Sequence, residues 1–214
     1  MTLQIKKVST RKELKVFVRF ANKMYKGNKY YVPAMPIDEI NTLDPKKNAA
    51  YEFSEAELYL AYKGNEVVGR VAAIINHKAN DAWKVKQVRF GWIDFIDDIN
   101  VSSALLEKVA EFGRSHGMTQ IVGPLGFTDF DPEGMLVAGY DKVSTMALIY
   151  NHPYYPEHLK KLGFGKETGW MEFRITLPQT PPEQHARLAG LVQERYKLKL
   201  VKKTRRQIMK ENYG

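Results

Sequence analysis

The sequence contains no cysteine. Disulfide bonds, cysteine nucleophiles and cysteine-bound zinc are therefore excluded. No apolar run approaches the roughly 20 residues that a membrane-spanning helix needs. The opening residues, Met1–Lys7, are too polar for a signal peptide. We therefore expect a cytoplasmic protein that has no membrane partner.

The composition is that of a globular protein with a core. Of 214 residues, 44% are hydrophobic and 12% aromatic, which suits one large domain, or one domain with an appendage. The net charge of +9 lies mainly at the two ends: residues 1–30 hold nine Lys/Arg and one acidic residue, and residues 192–210 hold eight and one. A basic end is either a solvated helix face or a surface for nucleic acid or an acidic partner. We expect the solvated face, and do not expect nucleic acid binding.

The first half of the sequence predicts a strand, two helices and a β-hairpin. Leu3–Val8 alternates weakly, as in a strand. Thr10 and Glu13 have the spacing of a capping box, which starts a helix that Gly27 ends. A short helix is expected near Met35–Thr42. The apolar runs Leu58–Tyr62 and Val67–Ile75 flank Gly64 and Asn65, a pair typical of a hairpin turn.

The second half predicts two strands joined by a helix. After a polar loop at residues 76–87, the order is strand Val88–Phe95, helix Ser102–His116 and strand Thr119–Gly123. A helical crossover requires these two strands to be parallel. Further elements follow: a short helix His158–Leu162, a strand Lys166–Leu177, a hinge Pro178–Pro182 and helices within residues 183–212. The predicted fold class is α/β, a mixed sheet of about six or seven strands flanked by helices.

The segment Gly123–Gly134 combines three glycines and two prolines with large apolar residues, which indicates a shaped loop. We expect Gly126 and Gly134 to hold conformations that a side chain would forbid. Phe127 and Phe130 are expected to turn inward. The polar residues of this region, which would then serve a ligand or cap backbone groups, are Thr128, Asp129, Asp131 and, further along, Asn151.

Three short pieces carry a resemblance to a known superfamily: Val68–Ala72 after the hairpin, Ser103–Leu106 at the helix entry, and Leu159–Phe164. In this order they resemble the GCN5-related N-acetyltransferases (GNAT). The resemblance covers residues 1–177 and implies a mostly antiparallel sheet with a splayed parallel pair, leaving residues 178–214 as a hinge and a basic connector or the start of a second half. Gly123–Gly134 with Asn151–Pro156 is similar to the N-terminal half of uncharacterised bacterial tandem acetyltransferase-like proteins. The implied partner is a second such half or another copy of the chain.

The resemblance also implies a site for acetyl-CoA or another acyl-CoA, and the sequence departs from it. The superfamily's basic position falls on Asp97, and its glycines fall on Asp98, Asn100 and Ser102. The cofactor-binding residues carried over, in a degenerate loop, are Asn100, Val101, Ser102 and Ser103. Two carboxylates beside a pyrophosphate predict weak or absent binding, although Asp98 and Asn100 are equally good helix-capping residues.

The catalytic position implied by the resemblance is altered as well. The tyrosine that protonates the departing thiolate falls on Leu159, which cannot donate a proton. Tyr154 or Tyr155 would have to substitute, unless these rings only pack. No metal site is expected, because the five histidines show no ligand spacing.

We interpret the chain as the degenerate, structural or substrate-shaping half of a tandem acyltransferase. One alternative is an active acyl-CoA-dependent N-acyltransferase on an unknown small amine. Another is a basic module that binds nucleic acid or an acidic partner.

Overall fold

The computed structural model describes residues 2–145, 148–180, 182–199 and 201–212, with residues 211 and 212 described by their backbone alone. They form two compact units, residues 1–166 and 167–214. The strands are β1 Leu3–Lys7, β2 Ser54–Lys63, β3 Glu66–Asn76, β4 Gln87–Phe95 and β5 Gln120–Val122. The helices are α1 Arg11–Met24, α2 Pro36–Leu43, α3 His77–Trp83, α4 Ile99–Ser115, α5 Tyr154–Lys161, α6 Glu183–Arg195 and α7 Arg205–Asn212, with a 3-10 turn at Ala49–Glu52.

The five strands of the first unit form one sheet in the order β1-β2-β3-β4-β5. Neighbours are antiparallel except β4 and β5, which are parallel. This confirms the parallel pair predicted from the helical crossover. The sheet counts five strands within the described residues, where the sequence predicted six or seven.

The parallel pair is short. Only Gln87–Arg89 of β4 pairs with β5. Beyond Arg89, β4 continues to Phe95, and within the described residues no strand pairs with it on that side; the Leu125 N–H donates a hydrogen bond to the Phe90 carbonyl. The unpaired end of β4 is therefore the place in the sheet where other groups can reach the strand.

Alternation along the strands divides the core between the two faces of the sheet, since successive side chains point to opposite sides. One cluster joins Val71 and Ala73 of β3 to Leu105 and Val109 of α4. The other cluster joins Ala72 and Ile74 to α1 and α2. Burial of these apolar surfaces is the main source of stability, at about 25 cal/mol per Å².

Local signals fixed several boundaries. The Thr10–Glu13 capping box is present: the Glu13 N–H donates to Thr10 Oγ1 and the Thr10 N–H to a Glu13 carboxylate oxygen. Gly64 takes a φ of 60° in the hairpin turn, a conformation that favours glycine. Helix α4 begins earlier than predicted, at Ile99, because the Asp98 side chain caps it.

Two predictions about secondary structure were wrong. The polar loop expected at residues 76–87 contains helix α3, which the Asn76 side chain caps at its start. The strand expected at Lys166–Leu177 is absent, and Phe173 and Ile175 are exposed. A strand needs a neighbour for its backbone N–H and C=O groups, and no strand pairs with this segment.

The second unit, residues 167–214, holds the helices α6 and α7, as predicted for residues 183–212. No helix within the described ranges is both long and apolar enough to cross a membrane.

Candidate functional site

A buried ion pair lies next to the unpaired end of β4. Arg70 of β3 and Asp94 of β4 face each other across the antiparallel pair. The Arg70 Nε donates to Asp94 Oδ2 at 2.8 Å, and its Nη1 donates to the Phe17 carbonyl at 3.0 Å. Burial by itself would lower the pKa of Arg70, but the Asp94 and Glu39 carboxylates together outweigh it, and the pKa is raised above its ordinary value. Arg70 thus stays charged, and the buried pair is held to α1.

Two tyrosines complete the coordination of the Asp94 carboxylate. The Tyr25 hydroxyl lies 3.1 Å from Asp94 Oδ1 and 2.9 Å from the Tyr155 hydroxyl. The Tyr155 hydroxyl itself lies 3.4 Å from Oδ1. Burial, with the Asp94 charge, raises the pKa of both phenols. Both tyrosines therefore stay protonated and serve as hydrogen-bond donors or acceptors.

Helix α5 fills the unpaired end of β4. The Tyr155 hydroxyl accepts a hydrogen bond from the Phe95 N–H at 3.0 Å, and the Tyr154 hydroxyl donates to the Phe95 carbonyl at 2.6 Å. The Tyr155 and Phe95 rings stack with centroids 4.1 Å apart. The position that the resemblance assigned to a proton donor, Leu159, is buried in the same core. Both backbone groups of Phe95 are thus used by the chain itself.

The start of α4 is capped internally. Asp98 Oδ1 accepts hydrogen bonds from the Asn100 N–H at 2.9 Å and from its side-chain amide at 3.0 Å. The Val101 and Ser102 N–H groups donate to the Asp98 carbonyl. Lys63 pairs with the other carboxylate oxygen at 2.5 Å, and this hydrogen bond lowers the pKa of Asp98. Of the carried-over loop residues, Val101 and Ser102 are buried and Asn100 and Ser103 exposed.

Asp97, Ser102 and His158 form a chain of hydrogen bonds that the sequence did not reveal. His158 Nε2 lies 3.0 Å from Asp97 Oδ1, and His158 Nδ1 lies 3.0 Å from Ser102 Oγ. The order resembles that of a hydrolytic triad, but the Ser102 side chain is fully buried and its hydroxyl also contacts the Ile99 carbonyl. These hydrogen bonds therefore tie α5 to the start of α4, and the buried Ser102 hydroxyl is not exposed as a nucleophile.

The glycine-rich loop, Gly123–Gly134, is held to the sheet by side chains of β3 and β4. Arg89 Nη1 donates to the carbonyls of Gly126 and Phe127, and Asn76 donates to the latter as well. Phe127 is buried as predicted. Phe130 is fully exposed, so the prediction that it turns inward was wrong; the Thr128–Asp131 turn carries it away from the core.

Polar residues of this loop have different surroundings. Asp131 accepts a hydrogen bond from the Thr128 N–H at 3.0 Å, and the Thr128 hydroxyl accepts one from the Phe130 N–H. Burial raises the pKa of Asp131. Gly134 has a φ of 83°, and a Cβ on Gly126 would collide with Asp131. Asp129 is exposed and makes no hydrogen bond or ion pair within the described residues.

Asn151 is buried and works as a backbone clamp. Its side-chain oxygen accepts from the Leu136 N–H at 2.7 Å, and its amide donates to the Leu136 carbonyl at 3.1 Å. Within the described ranges, no hydrogen bond joins the Thr128–Asp131 turn to Tyr154 or Tyr155. The structure thus brings the tyrosines close to the start of α4 through His158, and leaves Asn151 and the loop residues in separate clusters.

One residue of β4 has a strained backbone conformation. Trp92 has a φ of 44°, which is uncommon for a bulky residue. Its indole N–H donates to Glu39 of α2 at 2.6 Å, and burial raises the pKa of Glu39.

No group of three His, Asp or Glu side chains in the described part of the chain is arranged to hold a metal ion.

Sequence comparison identifies bacterial relatives. No protein-family model matches the chain. Protein YghO of Escherichia coli strain K12 is 27% identical over 154 residues, and the Bacterial ceramide synthase of Caulobacter vibrioides is 26% identical over 165 residues. The matches cover 72% and 77% of this chain but 39% and 43% of the relatives. The chain therefore spans about two fifths of the length of the curated relatives it matches.

Structural comparison defines the fold. A tandem GNAT protein from the clavulanic acid biosynthesis pathway superposes with a TM-score of 0.50 at 13% identity, covering 76% of this chain and 43% of that one. The sheet order, the parallel pair and the crossover helix α4 agree with this similarity. The chain has a GNAT-like fold, as the sequence predicted.

Proposed function

We propose that these 214 residues form the structural, substrate-shaping half of a longer N-acyltransferase and that acyl-CoA is bound mainly by residues outside them. The GNAT-like fold supports the reaction class. The observation that carries the proposal is the hydrogen bond from the Phe95 N–H to the Tyr155 hydroxyl. A thioester carbonyl held in the gap between β4 and β5 needs a free strand amide to polarise it, and here α5 occupies that amide.

The start of α4 supports the same conclusion. A helix N-terminus binds phosphate through free N–H groups aided by the helix dipole. The Asp98 carboxylate accepts the hydrogen bond of the Asn100 N–H and carries a negative charge of its own. At the effective dielectric of a protein surface, a carboxylate within 4–6 Å of a phosphate charge costs about 3–4 kcal/mol. Lys63 offsets part of that charge, but the N–H remains occupied.

For the longer protein, the sequence relatives suggest the acceptor. A ceramide is an amide formed on a long-chain amino alcohol, so the name of the Caulobacter relative points to a primary amine on a lipid-like substrate. The chain spans less than half of both relatives. We therefore infer that the acyl-CoA site lies in the remainder of such a polypeptide. We also propose that the reaction takes place in the cytoplasm.

Calorimetric titration with acetyl-CoA and octanoyl-CoA at low salt tests the proposal. We expect no saturable binding to the 214-residue chain. A Kd in the low micromolar range, about −8 kcal/mol, would contradict it. As a matched variant, Asp97→Arg with Asp98→Gly should strengthen binding if α4 marks the degenerate phosphate site, provided that thermal melting shows the variant to be folded.

An active N-acyltransferase within this chain is the second candidate. The half-buried Tyr154 hydroxyl favours it, because it lies at the end of β4 and would donate its proton to a thiolate there in place of the Phe95 carbonyl. Release of free thiol from acyl-CoA in the presence of a long-chain amine, lost in Tyr154→Phe, would support this candidate over the first. Thiol release that persists in Tyr154→Phe would remove Tyr154 from the reaction.

A further inference from the structure

The second unit exposes an apolar stripe on α6. Leu188, Leu191 and Val192 are spaced so that they share one face of the helix. Their exposed fractions are 60%, 53% and 37%. Scattered single apolar residues on a surface need no partner. Three aliphatic side chains that share one exposed helix face are different, because together they leave a contiguous apolar surface in water, which is unfavourable.

Basic residues follow this stripe directly. Tyr196 is exposed at the end of α6, with the Arg195 guanidinium 5.6 Å from its ring centre. In the connector to α7, the exposed Leu198 and Val201 lie among Lys197, Lys199, Lys202 and Lys203. Residues 183–210 hold nine Lys/Arg and two acidic residues. We call residues 183–210 the basic amphipathic segment.

The first turn of α7 adds an electrostatic argument. The helix starts after Thr204, whose hydroxyl accepts from the Gln207 N–H. Its first two residues are Arg205 and Arg206. A helix dipole places positive charge at the N-terminus, so cations there are unfavourable. A negatively charged surface nearby would reverse this cost.

We propose that the basic amphipathic segment docks on an anionic membrane surface. Exposed aliphatic residues beside clustered Lys and Arg are typical of helices that lie in the headgroup region of a bilayer. Nucleic acid would use the basic residues but would offer nothing to Leu188, Leu191 and Val192. The proposal replaces the sequence-based expectation of a solvated basic end with no membrane partner, and it does not depend on acyl transfer.

Vesicle sedimentation with the 214-residue chain tests the proposal. The chain should sediment with vesicles of phosphatidylcholine mixed with phosphatidylglycerol, and not with phosphatidylcholine alone, and high salt should weaken binding. The triple variant Lys197→Gln, Lys199→Gln, Lys202→Gln should bind about a hundredfold more weakly, because each basic side chain near an anionic surface contributes about fivefold. Leu188→Gln with Leu191→Gln should also lower binding but retain its dependence on salt.

A matched control separates docking from net charge. Lys12→Gln, Lys15→Gln, Arg19→Gln removes the same charge from exposed positions of α1 and should leave vesicle binding within about fivefold of the unaltered chain, the contribution of one basic side chain. If the α1 control lost as much vesicle binding as the triple lysine variant, the proposal would be overturned. It would also be overturned if the leucine variant bound vesicles fully and the chain bound duplex DNA as tightly as vesicles, since that would indicate a general polyanion site. Circular dichroism checks that each variant retains its helices. Failure of the unaltered chain to bind any vesicle would overturn the docking proposal and would leave the proposed acyltransferase role untouched.

Discussion

The Tyr155 hydroxyl lies 3.0 Å from the backbone nitrogen of Phe95 and accepts its hydrogen bond. This contact joins residues 60 positions apart in the sequence. It closes the unpaired end of β4, and it connects the backbone of β4 to the buried Asp94 carboxylate through the same hydroxyl. The stability of this region should therefore depend on one phenolic oxygen.

Tyr155→Phe tests that dependence. The ring stack on Phe95 is retained, while the buried N–H of Phe95 loses its partner and the Tyr25 hydroxyl keeps only its hydrogen bond to Asp94. We expect the free energy of unfolding to fall by about 1–3 kcal/mol, measured by urea denaturation. Tyr154→Phe is the control, since it removes only the hydrogen bond of a half-buried hydroxyl to the Phe95 carbonyl, and it should cost about 1 kcal/mol. Equal stability of Tyr155→Phe and the unaltered chain would show that the contact is not important.

Asp98→Ala should destabilise the protein by about 1 kcal/mol, within 0.5–2, because it removes the cap of α4. Asp98→Asn is the matched control: asparagine is an equally good cap, so this variant should lose little more than the pairing with Lys63. Thermal melting at two salt concentrations separates the two contributions, since salt weakens only the ion pair. Equal losses in both variants would mean that charge, and not capping, is what Asp98 supplies.

The two acidic residues of the glycine-rich loop should behave differently. Asp131→Ala removes the acceptor for the Thr128 N–H and should lower the free energy of unfolding by about 1–2 kcal/mol. Asp129→Ala should change it by no more than about 0.5 kcal/mol, as for an exposed residue without such contacts. Denaturant unfolding of both variants measures the difference. A clear loss of stability in Asp129→Ala would remove Asp129 from the candidate ligand residues.

Glu39 should make stability depend on pH. Burial raises its folded pKa above the ordinary value of 4.5, so the folded state holds this proton more tightly than the unfolded state does. Its contribution is fully present below pH 4.5 and is lost as pH rises through the raised pKa. Glu39→Gln keeps an acceptor for the Trp92 indole and should gain in melting temperature relative to the unaltered chain as pH rises. If the melting temperatures of the two proteins changed by the same amount as pH rises above 4.5, the prediction would be contradicted.

Much of the first unit could be predicted from sequence. The capping box at Thr10 and Glu13, the hairpin turn at Gly64 and the crossover between β4 and β5 each depend on residues that are close in the chain. Such signals act through local backbone conformation, so they survive without knowledge of the rest of the fold. The missing strand at residues 166–177 shows the limit: a strand also needs a partner for its backbone groups, and residue types along one segment do not supply it.

The polar clusters could not be predicted. Arg70 meets Asp94 because β3 and β4 pair in one register, and Tyr25 reaches Asp94 from α1 across 69 positions of sequence. The link from Asp97 through His158 to Ser102 spans similar distances. Short-range spacing carries no signal for contacts of this kind.

The sequence by itself predicted the GNAT-like arrangement, because the hairpin turn, the helix caps and the crossover reside in residue type at particular positions. Only the tertiary structure decided what the side chains at the start of α4 and on α5 contact. The Asp98 carboxylate caps α4 and Tyr155 fills the end of β4, since the direction of a side chain is set by the packing of distant elements around it.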